Sequence, residues 1–176
     1  MLKEFYPYEY VLSVFDIDFQ ALFDQGFRAL IFDIDNTLVH HGDPCTPEVD
    51  ALMHKVQDMG FKVLLLSDNT AERIEAFMEN FTAPYIDDAG KPNPEAYLRA
   101  VDMLGIPKER AVYIGDQVFT DIRGANAAGL PSILVHFIQV PGETKIGKKR
   151  YIEKMIVKMW RKNPTYAHRL GSITLV

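Results

Sequence analysis

The chain has 176 residues, 48% hydrophobic and 24% charged, a balance that suits a globular protein with a substantial core and excludes a disordered or fibrous design. No run nears the roughly 20 apolar residues that cross a bilayer, the opening MLKEFYPYEY lacks the basic flank and apolar stretch of a signal peptide, and the single Cys45 demands no oxidising compartment, so a cytoplasmic protein is expected. The net charge of −5 conceals an asymmetry, because residues 141–176 hold nine Lys or Arg against two Glu, a sum of +7, which leaves −12 for residues 1–140.

Residues 1–27 are rich in aromatics and predict a turn and a helix packed on the rest. RALIF (28–32) reads as a buried strand. TPEVDALMHKVQDMG (46–60) follows as a helix, with Thr46 as N-cap, Pro47 at its first position and Gly60 as its stop. FKVLLL (61–66) is the second strand, and TAERIEAFMENF (70–81) a helix with Ile74, Phe77, Met78 and Phe81 on one face. APYI (83–86) is a short third strand, followed by a helix over 93–105 capped by Asn93 and ended by Gly105. A strand at 111–115, a helix at 119–129 and a strand at 132–137 complete the alternation. Beyond it, a helix from about residue 148 gathers Ile152, Met155, Ile156, Met159 and Trp160 on one stripe, with basic residues opposite. Strands separated by single helices pair in parallel, so the expected fold is an open α/β parallel Rossmann-like sheet with helices on both faces. One domain over 1–176 is expected, divided into an aromatic N-terminal segment (1–27), a catalytic core (28–137) and a basic C-terminal helix and tail (141–176).

Ligands of such sheets bind beyond the carboxyl ends of the strands, and the unusual polar residues fall there. Asp33 and Asp35, with Thr37, follow the first strand; Ser67, Asp68 and Asn69 follow the second; Lys91 follows the third; Asp116 and Asp121 follow the fourth. Converging carboxylates repel one another unless a cation intervenes. With no Cys/His ligand spacing, that cation is expected to be Mg²⁺, held by Asp33, Asp116 and a backbone carbonyl near Asp35. A Mg²⁺ ion beside a lysine and a serine points to a phosphorylated substrate. The doublet then divides its work: Asp33 attacks phosphorus to give an aspartyl-phosphate, and Asp35 protonates the leaving alcohol and later deprotonates water.

DIDNT (33–37), LLLSDN (64–69), AGKPNPEAY (89–97) and IGDQVFTDI (114–122) resemble, in order, the four motifs of the haloacid dehalogenase (HAD) superfamily of phosphohydrolases. The resemblance implies Asp33 as nucleophile, Asp35 as acid/base, Ser67 and Lys91 as phosphate ligands, Asp116 as metal ligand, and Asp121 as support for the metal or for Lys91. Asn69 is a further candidate phosphate contact, and Thr37 a supporting residue. The whole chain is similar to the YqeG-like branch of subfamily IIIA, which implies kinship with enzymes that remove the terminal phosphate of phosphatidylglycerophosphate. A soluble phosphometabolite, such as a sugar phosphate or nucleotide, is the alternative substrate, and a non-catalytic scaffold the alternative class.

From Asp33 to Ser67 is 34 positions and from Ser67 to Lys91 is 24, too few for an inserted cap domain, so an open site is expected. Open sites suit large substrates, surfaces, or a homo-oligomer whose neighbour supplies the lid. Lysines and arginines near an anionic membrane are each attracted by roughly 1 kcal/mol, which gives the basic helix one reading, peripheral contact with Trp160 at the interface. Core packing with a solvated charged face is the other. Nucleic acid is not an expected partner, because the aromatics are not interleaved with the basic run.

Overall fold

The computed structural model describes residues 2–175. Six strands form one wholly parallel sheet: β1 (Glu9–Val11), β2 (Ala29–Phe32), β3 (Lys62–Leu66), β4 (Tyr85–Ile86), β5 (Ala111–Gly115) and β6 (Ser132–Val135). Their order across the sheet is β1-β6-β5-β2-β3-β4. From β2 the chain winds outward through β3 to β4, then returns to the other side of β2 for β5 and β6, which places the topological switch between β2 and β5. Ala29–Phe32 stand in register with Ala111–Ile114 on one side and Lys62–Leu65 on the other.

Strands buried on both faces read as continuous apolar runs, and the helices divide the sheet's alternating side chains between them. Leu30, Phe32, Val63 and Leu65 pack with α1 (Phe19–Asp24), α2 (Pro47–Asp58) and α3 (Ala71–Phe77). Ala29, Ile31, Leu64 and Tyr113 pack with α4 (Pro94–Leu104) and α5 (Arg123–Ala128). The start signals read from the sequence are in place: the Thr46 hydroxyl accepts the Val49 N–H and the Asn93 side-chain Oδ1 accepts that of Glu95, each ahead of a proline in the first turn. Gly105 ends α4 at φ 63°, a left-handed conformation that glycine adopts without steric cost.

Four expectations are corrected. The N-terminal segment supplies a strand, β1, because Glu9–Val11 extend the sheet beside Ile133–Val135. Three residues among aromatics carry no readable period. The chain's other end secures them: Arg169 donates to the Tyr6 and Pro7 carbonyls and lies 3.5 Å over the Tyr8 ring. The helix over 70–81 stops at Phe77, since Asn80 turns to α2, donating to Asp50 (2.9 Å) and accepting on its carbonyl from His54 (2.9 Å); Phe81 stays buried, edge-on to Phe77. The helix over 119–129 begins as a π-helical turn, Val118–Ile122, and only then becomes α5.

The fourth correction concerns α6 (Lys148–Arg161), whose apolar residues do not share one face. Ile156 and Trp160 are buried against Tyr6, Val118, Ile122 and Leu134, whereas Tyr151, Ile152, Met155 and Met159 are exposed. Trp160 is fully enclosed and donates its indole N–H to the Tyr166 carbonyl at 2.8 Å, so it is a core anchor and not a residue at an interface. Among the described residues, no helix is long and apolar enough to cross a membrane.

Trp160→Ala is expected to lower the unfolding free energy by about 3–5 kcal/mol, and Met155→Ala, at a position 63% exposed, by no more than about 0.5 kcal/mol; urea denaturation followed by circular dichroism separates the two.

Candidate active site

The loops after β2, β3, β4 and β5 converge at the carboxyl edge of the sheet. The Asp33 N–H donates to the Ile114 carbonyl at 2.9 Å, prolonging the β2–β5 pairing by one step, and its carboxylate is buried at the switch. Asn36 then takes φ 61° and the chain doubles back, with its N–H on the Val39 carbonyl. That turn brings the Thr37 hydroxyl to 3.1 Å from both Asp33 Oδ2 and Asp116 Oδ1. A hydroxyl has one proton, so it donates to one of these oxygens at a time.

The other oxygen of Asp33 accepts from Lys91 Nζ at 2.8 Å, and the same ammonium donates to Asp121 Oδ1 at 2.8 Å. The Lys91 side chain is only 5% exposed. Asp121 is held completely: Oδ1 also accepts from the Tyr113 hydroxyl (2.6 Å), and Oδ2 accepts the N–H groups of Asp116 (3.1 Å) and Gln117 (2.9 Å). β5 ends in Gly115 for this reason, as a Cβ there would lie 2.5 Å from the Asp121 Cγ.

Asp35 belongs to a neighbouring network. It accepts from the Gly42 N–H at 2.8 Å, from Arg73 Nη2 at 3.3 Å and from the Asn69 side-chain amide. The same amide donates to Ser67 Oγ at 2.9 Å, and Ser67 Oγ also accepts the Asn69 N–H at 3.1 Å. Asn69 therefore ties Ser67 to Asp35. Asp68 accepts the Lys91 backbone N–H at 3.0 Å, which joins the β3 loop to the β4 loop. Of the two histidines that follow the doublet, His40 lies 3.3 Å from Glu143 and His41 3.9 Å from Asp35.

The electrostatics separate the two aspartates. Burial pushes Asp33 well above the usual carboxylate range; Lys91 opposes this, while Asp121 and Asp116 reinforce it. Asp116 is pushed to about 6 by burial and by Asp121, against the pull of Arg150. Burial acts on Asp35 in the same sense, but the Gly42 N–H, the Asn69 amide and the Arg73 cation outweigh it and hold that carboxyl below its usual value. Lys91 stays charged, its burial overcome by Asp121 and Asp33.

Oxygens of Asp33, Asp116 and Asp121 all lie within 4.8 Å of one another. With Glu153, which shares Arg150, the buried carboxylates outnumber the cations Lys91 and Arg150 by two. The all-oxygen donor set and this surplus fit a hard divalent cation. Asp121 already accepts four hydrogen bonds, two on each oxygen, whereas Asp33 and Asp116 accept at most one on each oxygen and share the Thr37 hydroxyl, so Asp33 and Asp116 are the carboxylates with lone pairs left to ligate, and Asp121 braces them.

Arg150, from α6, was not distinguishable in the sequence from the other eight cations of the tail. Its Nη2 donates to Asp116 Oδ2 at 2.5 Å and its Nη1 to the Asp116 carbonyl (2.8 Å) and to Glu153 (2.9 Å). The available signal was Glu153, the one acid within α6, three positions on and buried, where its other oxygen accepts the Val118 N–H at 2.9 Å. Arg73 and Tyr113 were missed as well, because each lies inside an otherwise ordinary helix or strand.

The sequence family described as haloacid dehalogenase-like hydrolase matches residues 41–129. "Probable phosphatase YqeG" of Bacillus subtilis (strain 168) is 38% identical over 137 residues, which cover 77% of this chain and 80% of that one. "Phosphatidylglycerophosphate phosphatase 1, chloroplastic" of Chlamydomonas reinhardtii is 27% identical over 158 residues, 82% of this chain and 58% of its own. Among solved structures, a haloacid dehalogenase-like hydrolase from Bacteroides fragilis shares the fold with a TM-score of 0.55 at 17% identity, covering 66% of this chain and 91% of that one. The family match across half the chain, the extended similarity to YqeG and the shared parallel sheet lead to one assignment: the chain belongs to the haloacid dehalogenase-like hydrolase family and is a HAD-type phosphatase.

Proposed function

We propose that this phosphatase hydrolyses phosphate monoesters through an aspartyl-phosphate on Asp33, with Mg²⁺ as its metal, and that a phosphatidylglycerophosphate-like lipid is its substrate. The observation that carries the reading is the seat of Asp33: one oxygen on the Lys91 ammonium, the other on Thr37, next to Asp116.

In this reading Asp33 Oδ attacks phosphorus in line with the leaving alcohol, and the P–O bond to that alcohol breaks. Lys91 and Ser67, at the ends of neighbouring strands, hold the non-bridging oxygens. Asp33 and Asp116 would hold the Mg²⁺ ion, which when bound would neutralise charge on the phosphoryl oxygens. Asp35 gives the departing alcohol its proton, then takes one from the water that cleaves the acyl-phosphate and restores Asp33. The carboxyl of Asp35 is low in the resting protein, which suits the base step. The negative charge of an arriving phosphoryl group acts in the opposite direction and favours the protonated form needed for the acid step. Asn69 and Arg73 orient Asp35 without having to carry the proton.

The lipid assignment is supported by the similarity to the algal phosphatidylglycerophosphate phosphatase and by the surface of α6. Exposed Tyr151, Ile152, Met155 and Met159 lie among Lys148, Lys149, Lys158 and Lys162, the composition of a helix that rests in a membrane–water interface. The substrate is then met at the membrane surface from the cytoplasmic side.

Asp33→Asn is expected to abolish release of phosphate from an aryl phosphate. Asp35→Asn is expected to slow it by about 10²- to 10⁴-fold; survival of activity in the first variant would remove Asp33 as nucleophile. Chelation with EDTA is expected to stop turnover, with Mg²⁺ restoring it. Vesicles containing phosphatidylglycerophosphate are expected to be dephosphorylated with a higher kcat/KM than a panel of soluble sugar phosphates and nucleotides, and equal or better turnover of a soluble compound would replace the lipid assignment.

A further inference from the structure

A cleft of about 420 Å³ opens beside Asp116, between α6 and the edge made by β1 and β6. Its walls differ in kind. Val118, Leu134 and Val157 contribute an apolar floor, and α6 presents Arg150, Lys154, Lys158 and Arg161 along the rim. The spacings of four, four and three residues put these cations on one side of the helix, in a row roughly 16 Å long at 1.5 Å per residue. The row starts at Asp116, to which Arg150 is bound, and ends where the Arg161 guanidinium lies 5.1 Å over the ring of Tyr10. Tyr10 in turn hydrogen-bonds His136 Nδ1 at 3.0 Å on the opposite wall.

The two carboxylates of the cleft are already committed, Asp116 to Arg150 and Glu153 to Arg150 and the Val118 N–H. Among the described residues, no carboxylate lies within ion-pairing distance of Lys154, Lys158 or Arg161. Four cations against two carboxylates leave the cleft with a net charge of +2 over an apolar floor, on the side of Lys154, Lys158 and Arg161. His136 registers them: burial and then Lys154 and Arg150 hold its imidazole below the usual value. Surface cations placed for solubility alone would not line one concavity that begins at a candidate metal ligand.

We propose that this cleft is a second anion subsite, which receives an anionic phosphate group carried on the leaving-group side of the substrate. The preferred substrate class is a phosphate monoester whose alcohol bears a further phosphate a few bonds away, with apolar substance beyond it lying on the Val118–Leu134–Val157 floor. The proposal rests on the reading of Asp33 and Asp116 as the phosphoryl-transfer centre, since Asp116 is the residue shared by the cleft and the acidic cluster. Lys154, one helical turn from Arg150, is placed to meet the second phosphate first, with Lys158 following it.

The test compares matched substrates with the full chain in Mg²⁺. The soluble arm sets glycerol 1,3-bisphosphate against glycerol 3-phosphate; the lipid arm sets a diacyl phosphodiester bearing a terminal phosphomonoester, in mixed micelles, against glycerol 3-phosphate with the same detergent. An aryl phosphate reports the chemistry itself. The wild type is expected to favour the doubly anionic substrate in kcat/KM by roughly tenfold or more in at least one arm, and the arm that shows it identifies the source of the phosphate. Lys154→Gln/Lys158→Gln is expected to bring that ratio close to one, chiefly through KM, while Lys154→Arg/Lys158→Arg retains it. Both positions are exposed, so unfolding is not the expected cause of a loss, and a circular dichroism melt checks this. Turnover of the aryl phosphate with a ratio near one in both arms, or a ratio unchanged in the glutamine variant, overturns the subsite and leaves the phosphatase reading standing. No turnover of any monoester overturns the phosphatase reading, and the subsite with it.

Discussion

A single buried ammonium group holds this site together. Lys91 Nζ lies 2.8 Å from Asp33 and 2.8 Å from Asp121 on a side chain almost without access to water. An unpaired ammonium there would carry a desolvation penalty of several kcal/mol, and so would each unpaired carboxylate. Neither party is tolerable without the other, so the geometry of the β2, β4 and β5 loops is mutually determined. The buried carboxylates Asp33, Asp116, Asp121 and Glu153 outnumber Lys91 and Arg150 by two, a surplus that suits a divalent cation.

The ammonium can be held only because Asp121 is held first. Gly115 leaves the space that a Cβ would fill, and the π-helical turn after it lets the chain fold back within six residues, with the N–H groups of Asp121 and Ile122 both reaching the Gln117 carbonyl. Single π turns recur at functional positions because the extra residue re-aims a side chain without ending the helix. Here it aims Asp121 at the backbone of Asp116 and Gln117, so the carboxylate fixes the strand end that carries Asp116 while bracing Lys91.

The sheet was legible because strands β2, β3, β5 and β6 are apolar runs separated by helices with ordinary caps, and such runs have few alternative partners. Asp33, Ser67, Lys91 and Asp116 were legible from their position after those runs, which needed no knowledge of distance. What escaped was whatever depended on two distant segments meeting. β1 is three residues whose extended form comes from Ile133–Val135 and from Arg169, so no local pattern announced it. The stripe on α6 had the right period and the wrong extent: its angular spread covers two directions, and only packing decides that Trp160 and Ile156 turn inward while Met155 and Met159 face water. Arg150 was one cation among nine until Asp116 identified it.

Arg150 also changes what the basic tail means. A tail attracted only to an anionic surface would be indifferent to the identity of each cation, since a diffuse field depends on their sum. This helix is not indifferent. Trp160 sinks into the domain on one side and fixes the rotation of α6 about its axis, and Glu153, tied to the Val118 N–H, fixes its position along that axis. With both fixed, Arg150 must fall on Asp116 and the cations at four, eight and eleven residues further must line the cleft. The exposed row of Tyr151, Ile152, Met155 and Met159 is set by the same rotation. Three surfaces with different chemistry, apolar core, cationic rim and exposed apolar row, therefore follow from one anchored helix.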